Sequence, residues 1–316
     1  MSVGGATATA PADTCAWRLR GSRFDLSRPL VAGILNLTPD SFSDGGLHLD
    51  PAVALDRAHE LVDQGADLLD IGGESSRPGA EPVDARTEWR RLEPVLTRLD
   101  GLSIPISVDT TKLEVTRAAL ACGAAAINDI TGLRAEPGLA DLAAESGAGL
   151  ILMHMRGNPR TMQRDVAYAD LIGEVRAALA ASIGTAVARG CDPSQLVVDP
   201  GIGFGKSAAG NLELLARLEE LSGLGRPLLV GPSRKSFIGA VLNVPVDQRV
   251  EGTVAACVLA LERGARIFRV HDVREVRRSL DLAHAIRRAG AASEGPDGRS
   301  AGTARAGRPP APATCR

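Results

Sequence analysis

Lysine is nearly missing from this chain: of 36 basic residues only Lys112, Lys206 and Lys235 are lysines, and the rest are arginine. Excess charge is missing too. The 36 basic residues face 38 acidic ones for a net of -2, so no basic surface points to nucleic acid or an anionic membrane. No uninterrupted apolar run reaches the roughly 18 residues of a transmembrane helix, and the opening MSVGGATATAPADT lacks the charged and apolar regions of a secretion signal. Cys15, Cys122, Cys191, Cys257 and Cys315 are odd in number and show no CxxC spacing, which fits reduced thiols better than a disulfide framework or a zinc site. These absences lead to the expectation of a soluble, cytoplasmic protein.

Several catalytic signatures are absent as well. There is no HExxH, no GxSxG elbow and no EF-hand loop, which argues against zinc and hydrolase chemistry. DPGIGFGKS, from Asp199 to Ser207, ends like a Walker A loop, but Pro200 stands where GxxxxGK[ST] needs glycine, and its third glycine comes one residue early for GxGxxG. The ends of the chain, residues 1 to 14 and 290 to 316, carry almost no large apolar side chain and are expected to be disordered tails around a single domain at 15 to 289.

What is present is a pattern repeated eight times. PLVAGILN, DLLDIGG, IPISVD, AAAIND, LILMHM, LVVDPG, PLLVGPS and RIFRVHD are short apolar runs, each followed by a stretch of helical period, as at Ala54, Ala58, Leu61 and Val62. Eight strand-helix units predict an α/β fold, a (β/α)8 TIM barrel, with a doubly wound open sheet as the alternative. Residues 15 to 28 alternate like a short hairpin that would close the barrel floor. The barrel demands that chemistry collect at the C-terminal strand ends. Those ends carry Asn36; Glu74 with Ser76 and Arg77; Asp109; Asn128; Met153 with His154; Asp199; Ser233 to Ser236; and Arg269, His271 and Asp272. Taken alone, Asp109 reads equally well as a helix N-cap and Met153 as an ordinary core residue.

GILNLTPDSFSDGG, DIGGESSRPGA, SVDTTK, INDITGL, LMHMRGNPRTMQ, VVDPGIGFGKS, VGPSRKSFIG and RVHDV follow one another as the motifs of dihydropteroate synthase do, and the resemblance spans residues 17 to 289. It implies condensation of 6-hydroxymethyl-7,8-dihydropterin diphosphate with 4-aminobenzoate to 7,8-dihydropteroate and diphosphate in folate synthesis, with Mg2+, in a homodimer that sulfonamides target. On this match Asp109, Asn128 and Asp199 pair the pterin edge, Lys235 donates to the ring and Met153 packs on its face. Asn36 holds the metal, and the loop after it, with Asp40 and Asp44, covers the diphosphate. Arg269 and His271, two apart on one strand, face the mouth and receive the diphosphate, with Val270 between them counted among the substrate-binding residues. Ser236 meets the 4-aminobenzoate carboxylate, and Phe204, Arg77 and Pro78 wall its ring; Ser76 stands where most members have Thr. The other readings are a methyltetrahydrofolate-dependent methyltransferase, which has no use for a diphosphate cluster, and a non-catalytic pterin-binding paralogue, expected to lose the loop residues that are intact here.

The lysine scarcity gives a separate expectation. In an arginine-rich chain a lysine marks a place where a compact ammonium is needed. Lys235→Arg is therefore expected to abolish activity, whereas Lys112→Arg, at a helix start where a solvated surface charge is expected, should be nearly silent.

Overall fold

The computed structural model describes residues 15–38, 50–99 and 101–293. The cover loop with Asp40 and Asp44, and the segments 1–14 and 294–316, lie outside the described residues. Apolar runs buried on both faces form parallel strands, and each of the eight expected runs does so: β3 (Leu30–Asn36), β4 (Leu68–Gly72), β5 (Ile106–Asp109), β6 (Ala126–Asp129), β7 (Gly149–Met153), β8 (Leu196–Asp199), β9 (Leu228–Val230) and β10 (Ala265–Val270). They close into one parallel barrel, β10 pairing with both β3 and β9, so no sheet edge is left open.

Helices α1 (Pro51–Asp63), α2 (Ala85–Leu96), α3 (Leu113–Ala121), α4 (Leu139–Ser146), α5 (Leu171–Ala188), α6 (Ala208–Ala216), α7 (Ser236–Leu242), α8 (Val250–Glu262) and α9 (Val273–Ser293) follow in chain order, α7 and α8 together after β9. Their starts are written in the sequence: Asp50, Asp84, Asp170 and Ser207 each accept a hydrogen bond from a first-turn amide of α1, α2, α5 and α6. α5 is long and apolar enough on average to cross a membrane, although its apolar run is interrupted by Glu174 and Arg176. In the fold it is a barrel helix: Leu171, Ile172, Val175, Leu179 and Ala186 are buried, and Glu174 is ion-paired to Arg156. α9 continues past residue 289 to Ser293.

Alternation along the strands separates two cores. Val31, Leu69, Val108, Ile127, Leu152, Val198, Val230 and Phe268 face outward and pack under the helices. Leu30, Ala32, Leu68, Ala126, Ile151, Val197, Leu229 and Ile267 face the lumen and fill its lower part. The expected hairpin is there, β1 (Ala16–Leu19) antiparallel to β2 (Ser22–Asp25), and it seals the N-terminal end. Trp17 and Leu19 join the lumen cluster, and the Trp17 indole donates to the Gln195 carbonyl at 2.8 Å. The fit explains Gly149 at the start of β7: a Cβ there would stand 2.7 Å from Leu19 Cδ2 and 2.8 Å from the Trp17 ring. With the floor closed, the lumen opens only at the C-terminal strand ends, and polar side chains gather there.

Candidate active site

Above the apolar layer the lumen-facing positions become polar: Asp70, Ser107, Asp109, Asn128, Asp199 and Arg269. Asp70, 1% exposed, accepts from Ser107 Oγ, from Asn128 Nδ2 at 3.1 Å and from Arg269 Nε. The same guanidinium reaches Asp109 Oδ2 at 2.7 Å through Nη2. Burial pushes the Asp109 carboxyl up to about 7; the Arg269 charge opposes this and neighbouring Asp70 adds to it. Burial would also weaken the Arg269 charge, but Asp70 and Asp109 outweigh it and hold the guanidinium firmly protonated.

Arg269, expected at the mouth with His271 for the diphosphate, has its side chain turned inward between two acids here, because two buried carboxylates need a buried cation. Val270 departs from expectation as well. Its side chain is wholly buried in the outer core, since the residue between two lumen-facing positions of a strand must point away from the lumen. The His271 imidazole stays at the rim, its Nδ1 3.0 Å from Ser233 Oγ, and burial with the nearby Arg269 and Arg234 charges pushes its pKa down to about 3. It is neutral at pH 7.

On the opposite wall Asp199, 5% exposed, accepts from the Gly201 amide at 2.7 Å, and burial raises its pKa against the pull of Lys235. The Lys235 ammonium donates to the Ile202 carbonyl and sits 4.4 Å from the centre of the Phe204 ring. Burial pushes Lys235 down to about 7, with Asp199 opposing. Met153 lies with Met155, Met162, Ile130 and Phe204 in a small apolar group at this level. The turn that presents Lys235 is braced from behind. Arg234, with a left-handed φ of 57°, pairs with Asp272, and its amide donates to Thr253 Oγ1 at 3.0 Å. Ser236, exposed, opens α7.

The loop after β4 holds the other expected contacts, but divides them. Ser76 lines a cavity of about 320 Å³ that reaches Asp109, with Thr110, Thr131, Met155 and Asn158. Arg77 and Pro78 line a neighbouring one of about 390 Å³ with Thr38, and Phe204 lines neither. Asn36 ends β3 half-buried, beside Gly72, which in turn pairs with Asp109. Among the described residues no group of three His, Cys, Asp or Glu side chains could hold a metal.

Sequence reasoning missed Asp70 and a second network. Lys112, taken for a solvated surface charge, is ion-paired at 2.5 Å to Glu74 and at 2.5 Å to Glu88, whose side chain is fully buried. Glu74 also accepts from the Val83 amide at 2.9 Å, so this bridge anchors the loop after β4. Lys112→Arg is therefore not expected to be silent: a longer, bulkier guanidinium would have to displace two carboxylates that close to 2.5 Å on one ammonium. We expect Lys112→Met to lower unfolding free energy by about 3 kcal/mol, because it strands a buried carboxylate. Lys235→Arg should unfold like the parent chain and lose turnover. Urea titrations alongside steady-state assays separate the two; equal stability of Lys112→Met and the parent would refute the bridge.

Comparison with known proteins agrees with this geometry. The pterin binding enzyme family matches residues 32–271. A dihydropteroate synthase of Synechocystis sp. is 50% identical over 261 residues, 82% of this chain and 90% of that protein. The Escherichia coli K12 dihydropteroate synthase is 45% identical over 267 residues, 84% of this chain and 94% of that protein. The Yersinia pestis dihydropteroate synthase, solved as a sulfonamide drug complex, superposes with a TM-score of 0.82 at 46% identity, covering 86% of this chain and 99% of that one. The Xanthomonas albilineans dihydropteroate synthase with 4-aminobenzoic acid gives 0.80 at 46% identity, covering 86% and 98%. A barrel whose mouth gathers buried acids, an amide and a lysine, with this degree of likeness over most of its length, belongs to the dihydropteroate synthase family of pterin binding enzymes.

Proposed function

We propose that the chain joins 6-hydroxymethyl-7,8-dihydropterin diphosphate to 4-aminobenzoate, giving 7,8-dihydropteroate and diphosphate. The observation that carries the reading is the set of three acids and an amide, Asp70, Asp109, Asp199 and Asn128, at the closed end of a polar lumen. A pterin edge presents donors and acceptors like those of guanine, and a buried site must pair each of them. Asp109, Asn128 and Asp199 do this, and Lys235 donates to a ring acceptor. The ring edge replaces Arg269 at Asp109, so the guanidinium becomes available to the anionic end of the substrate. Binding then exchanges one charge-assisted pair for another and leaves no carboxylate bare.

In the reaction the ring pushes electron density toward the methylene carbon as its C–O bond to diphosphate breaks, and the electron pair leaves with the diphosphate oxygen. The amine nitrogen of 4-aminobenzoate forms the new N–C bond and gives up a proton. No protein nucleophile takes part. Positive charge develops on the pterin, where Asp109 and Asp199 oppose it. Arg269 and His271 receive the departing anion, the neutral imidazole as a hydrogen-bond donor. Phe204 walls the aminobenzoate ring, with Ser76, Arg77, Pro78 and Ser236 on the loops around it.

We also propose Mg2+ as the metal. Asn36 offers one neutral oxygen at the rim, and the described residues hold no metal cage of their own. That donor set fits an ion that keeps most of its waters and takes its anionic ligands from substrate phosphates. When bound it neutralises charge on the diphosphate. The cytoplasm is the proposed compartment, consistent with cysteines that are scattered through the sequence without CxxC spacing. A homodimer is supported by one apolar face on α6, α7 and α8, where Leu212, Val241, Leu242 and Leu259 are 44%, 57%, 48% and 54% exposed around Phe237. Sedimentation of Leu259→Asp should show monomers where the parent chain is a dimer; a monomeric parent would remove the proposal.

Diphosphate release on mixing both substrates with Mg2+, and none with either alone, is the direct test of the reaction. Calorimetry should find 4-aminobenzoate binding weak until diphosphate and Mg2+ are added, because the anion orders the loops that enclose the second site. Equal affinity in both conditions would sink that order. Asp109→Asn should lower the rate by about a hundredfold or more, having lost the charge that opposes the cationic transition state. The raised pKa of Asp109 adds a pH signature. Below about pH 7 the carboxyl takes up a proton and can no longer act as an acceptor alone, so kcat/KM for the pterin should fall on the acid side. That limb should vanish in Asp109→Asn; its survival would assign it to another group.

A further inference from the structure

The turn at residues 201–205 after β8 has no regular secondary structure, yet it is fixed at every peptide. Gly201 and Gly203 have φ of 71° and 83°, and side chains there would collide: a Cβ on Gly201 would lie 1.9 Å from the His154 carbonyl, and on Gly203 2.6 Å from Lys235 Cδ. Carbonyls outside helices and sheets must find donors elsewhere. Here five in succession accept from side chains. Gly201 and Phe204 accept from Lys206 Nζ, each at 2.9 Å; Ile202 from Lys235; Gly203 from Gln163 Nε2 at 3.4 Å; and Gly205 from the Tyr168 hydroxyl at 2.7 Å.

Lys206 is at the centre of this arrangement. It is 2% exposed, and its third short contact is His154 Nδ1 at 3.0 Å. An ammonium has three protons, and here three acceptors lie within 3.0 Å of it, two from the turn and one from the residue that follows β7, whose carbonyl is more distant at 3.5 Å. His154 suits that part, since burial and the Lys206 charge push its pKa down to about 3 and leave Nδ1 free to accept. Among the described residues no carboxylate pairs with Lys206 directly; burial pushes it down to about 7, with Asp199 the facing acid that opposes this and Lys235 and Arg156 the facing cations that add to it. A guanidinium is planar and larger, so it could not meet three acceptors converging on one point.

The groups that the turn presents are those that face substrate. Its Gly201 amide holds Asp199, its Ile202 carbonyl holds Lys235, and Phe204 lies against the Lys235 ammonium. We infer that Lys206 is a positioning residue of the condensation: its ammonium sets the 201–205 turn so that the Phe204 ring walls the 4-aminobenzoate site and Lys235 is aimed at the pterin. The inference rests on the function proposed above.

The test is KM for 4-aminobenzoate at saturating pterin diphosphate, in the full chain, in Lys206→Met, in Phe204→Ala and in the double variant. Lys206→Met should raise this KM about tenfold or more, and Lys206→Arg should give no rescue. In the Phe204→Ala background the same change should add less than about twofold, because the wall through which Lys206 acts is gone. An unchanged KM with only kcat reduced, full rescue by arginine, or effects that multiply undiminished in the double variant would each overturn the inference. If circular dichroism finds Lys206→Met unfolded, His154→Ala takes its place. It removes one acceptor and leaves the two turn carbonyls held, and should raise the same KM about threefold, an increase that disappears with Phe204→Ala; no increase overturns the inference. A parent chain that releases no diphosphate would count against the reaction itself, so the two failures are distinct.

Discussion

Two carboxylates inside a barrel share one guanidinium, and the rest of the site is arranged around that fact. Asp70 on β4 and Asp109 on β5 face the lumen, and Arg269 reaches both from β10, whose neighbour β3 presents only Ala32 at the paired position. Ionised groups so deep persist only when paired and hydrogen-bonded. Removing Arg269 would leave two neighbouring acids with no cation between them in a region of low polarisability. The same requirement makes the arrangement exchangeable, since any ligand that offers donors in the right places can take over from the arginine. Stability of the empty site and affinity for a donor-rich ring edge thus have a common origin.

The barrel keeps those demands apart along its axis. Its lower half is an apolar plug completed by Trp17 and Leu19, and it contributes cohesion without chemistry. Its upper half is polar and depends on the plug for rigidity, because acids held within hydrogen-bond distance of a partner tolerate little movement. The loops above are fastened by long-range charges: Lys112 ties the loop after β4 to α2, Lys206 ties the turn after β8 to the end of β7, and Arg234 with Asp272 braces the turn before α7.

Much of this was legible before any coordinates. Parallel strands buried on both faces are continuous apolar runs, so all eight announced themselves, and the alternation of residues 15 to 28 announced the hairpin. Asp109, Asn128 and Asp199 stand out in the sequence because they lie at the polar ends of their runs. Asp70 escaped because it lies inside one, in DLLDIGG, where a run read as a block hides which face each residue takes. Val270 shows the same effect, since the alternation that turns Arg269 to the lumen sends the next side chain into the outer core. Lys112 was misread on other grounds. Its partners are 38 and 24 positions away in the chain, and nothing local announces a pairing made by the fold.

The scarcity of lysine has a chemical consequence once its three positions are known. Lys112 is bridged by two acids, Lys206 is enclosed by the turn it supports, and Lys235 lies within the site. No lysine projects freely from the surface, so the molecule shows acylating reagents almost no side-chain amine. Burial pushes Lys206 and Lys235 alike down to about 7, well below a solvated lysine, whereas Lys112 between its two acids is pushed up. The amines of this protein are therefore graded in reverse of the usual order, with nucleophilicity concentrated in the interior, and a mild acylating reagent small enough to enter the mouth would discriminate by reactivity where it could not by recognition.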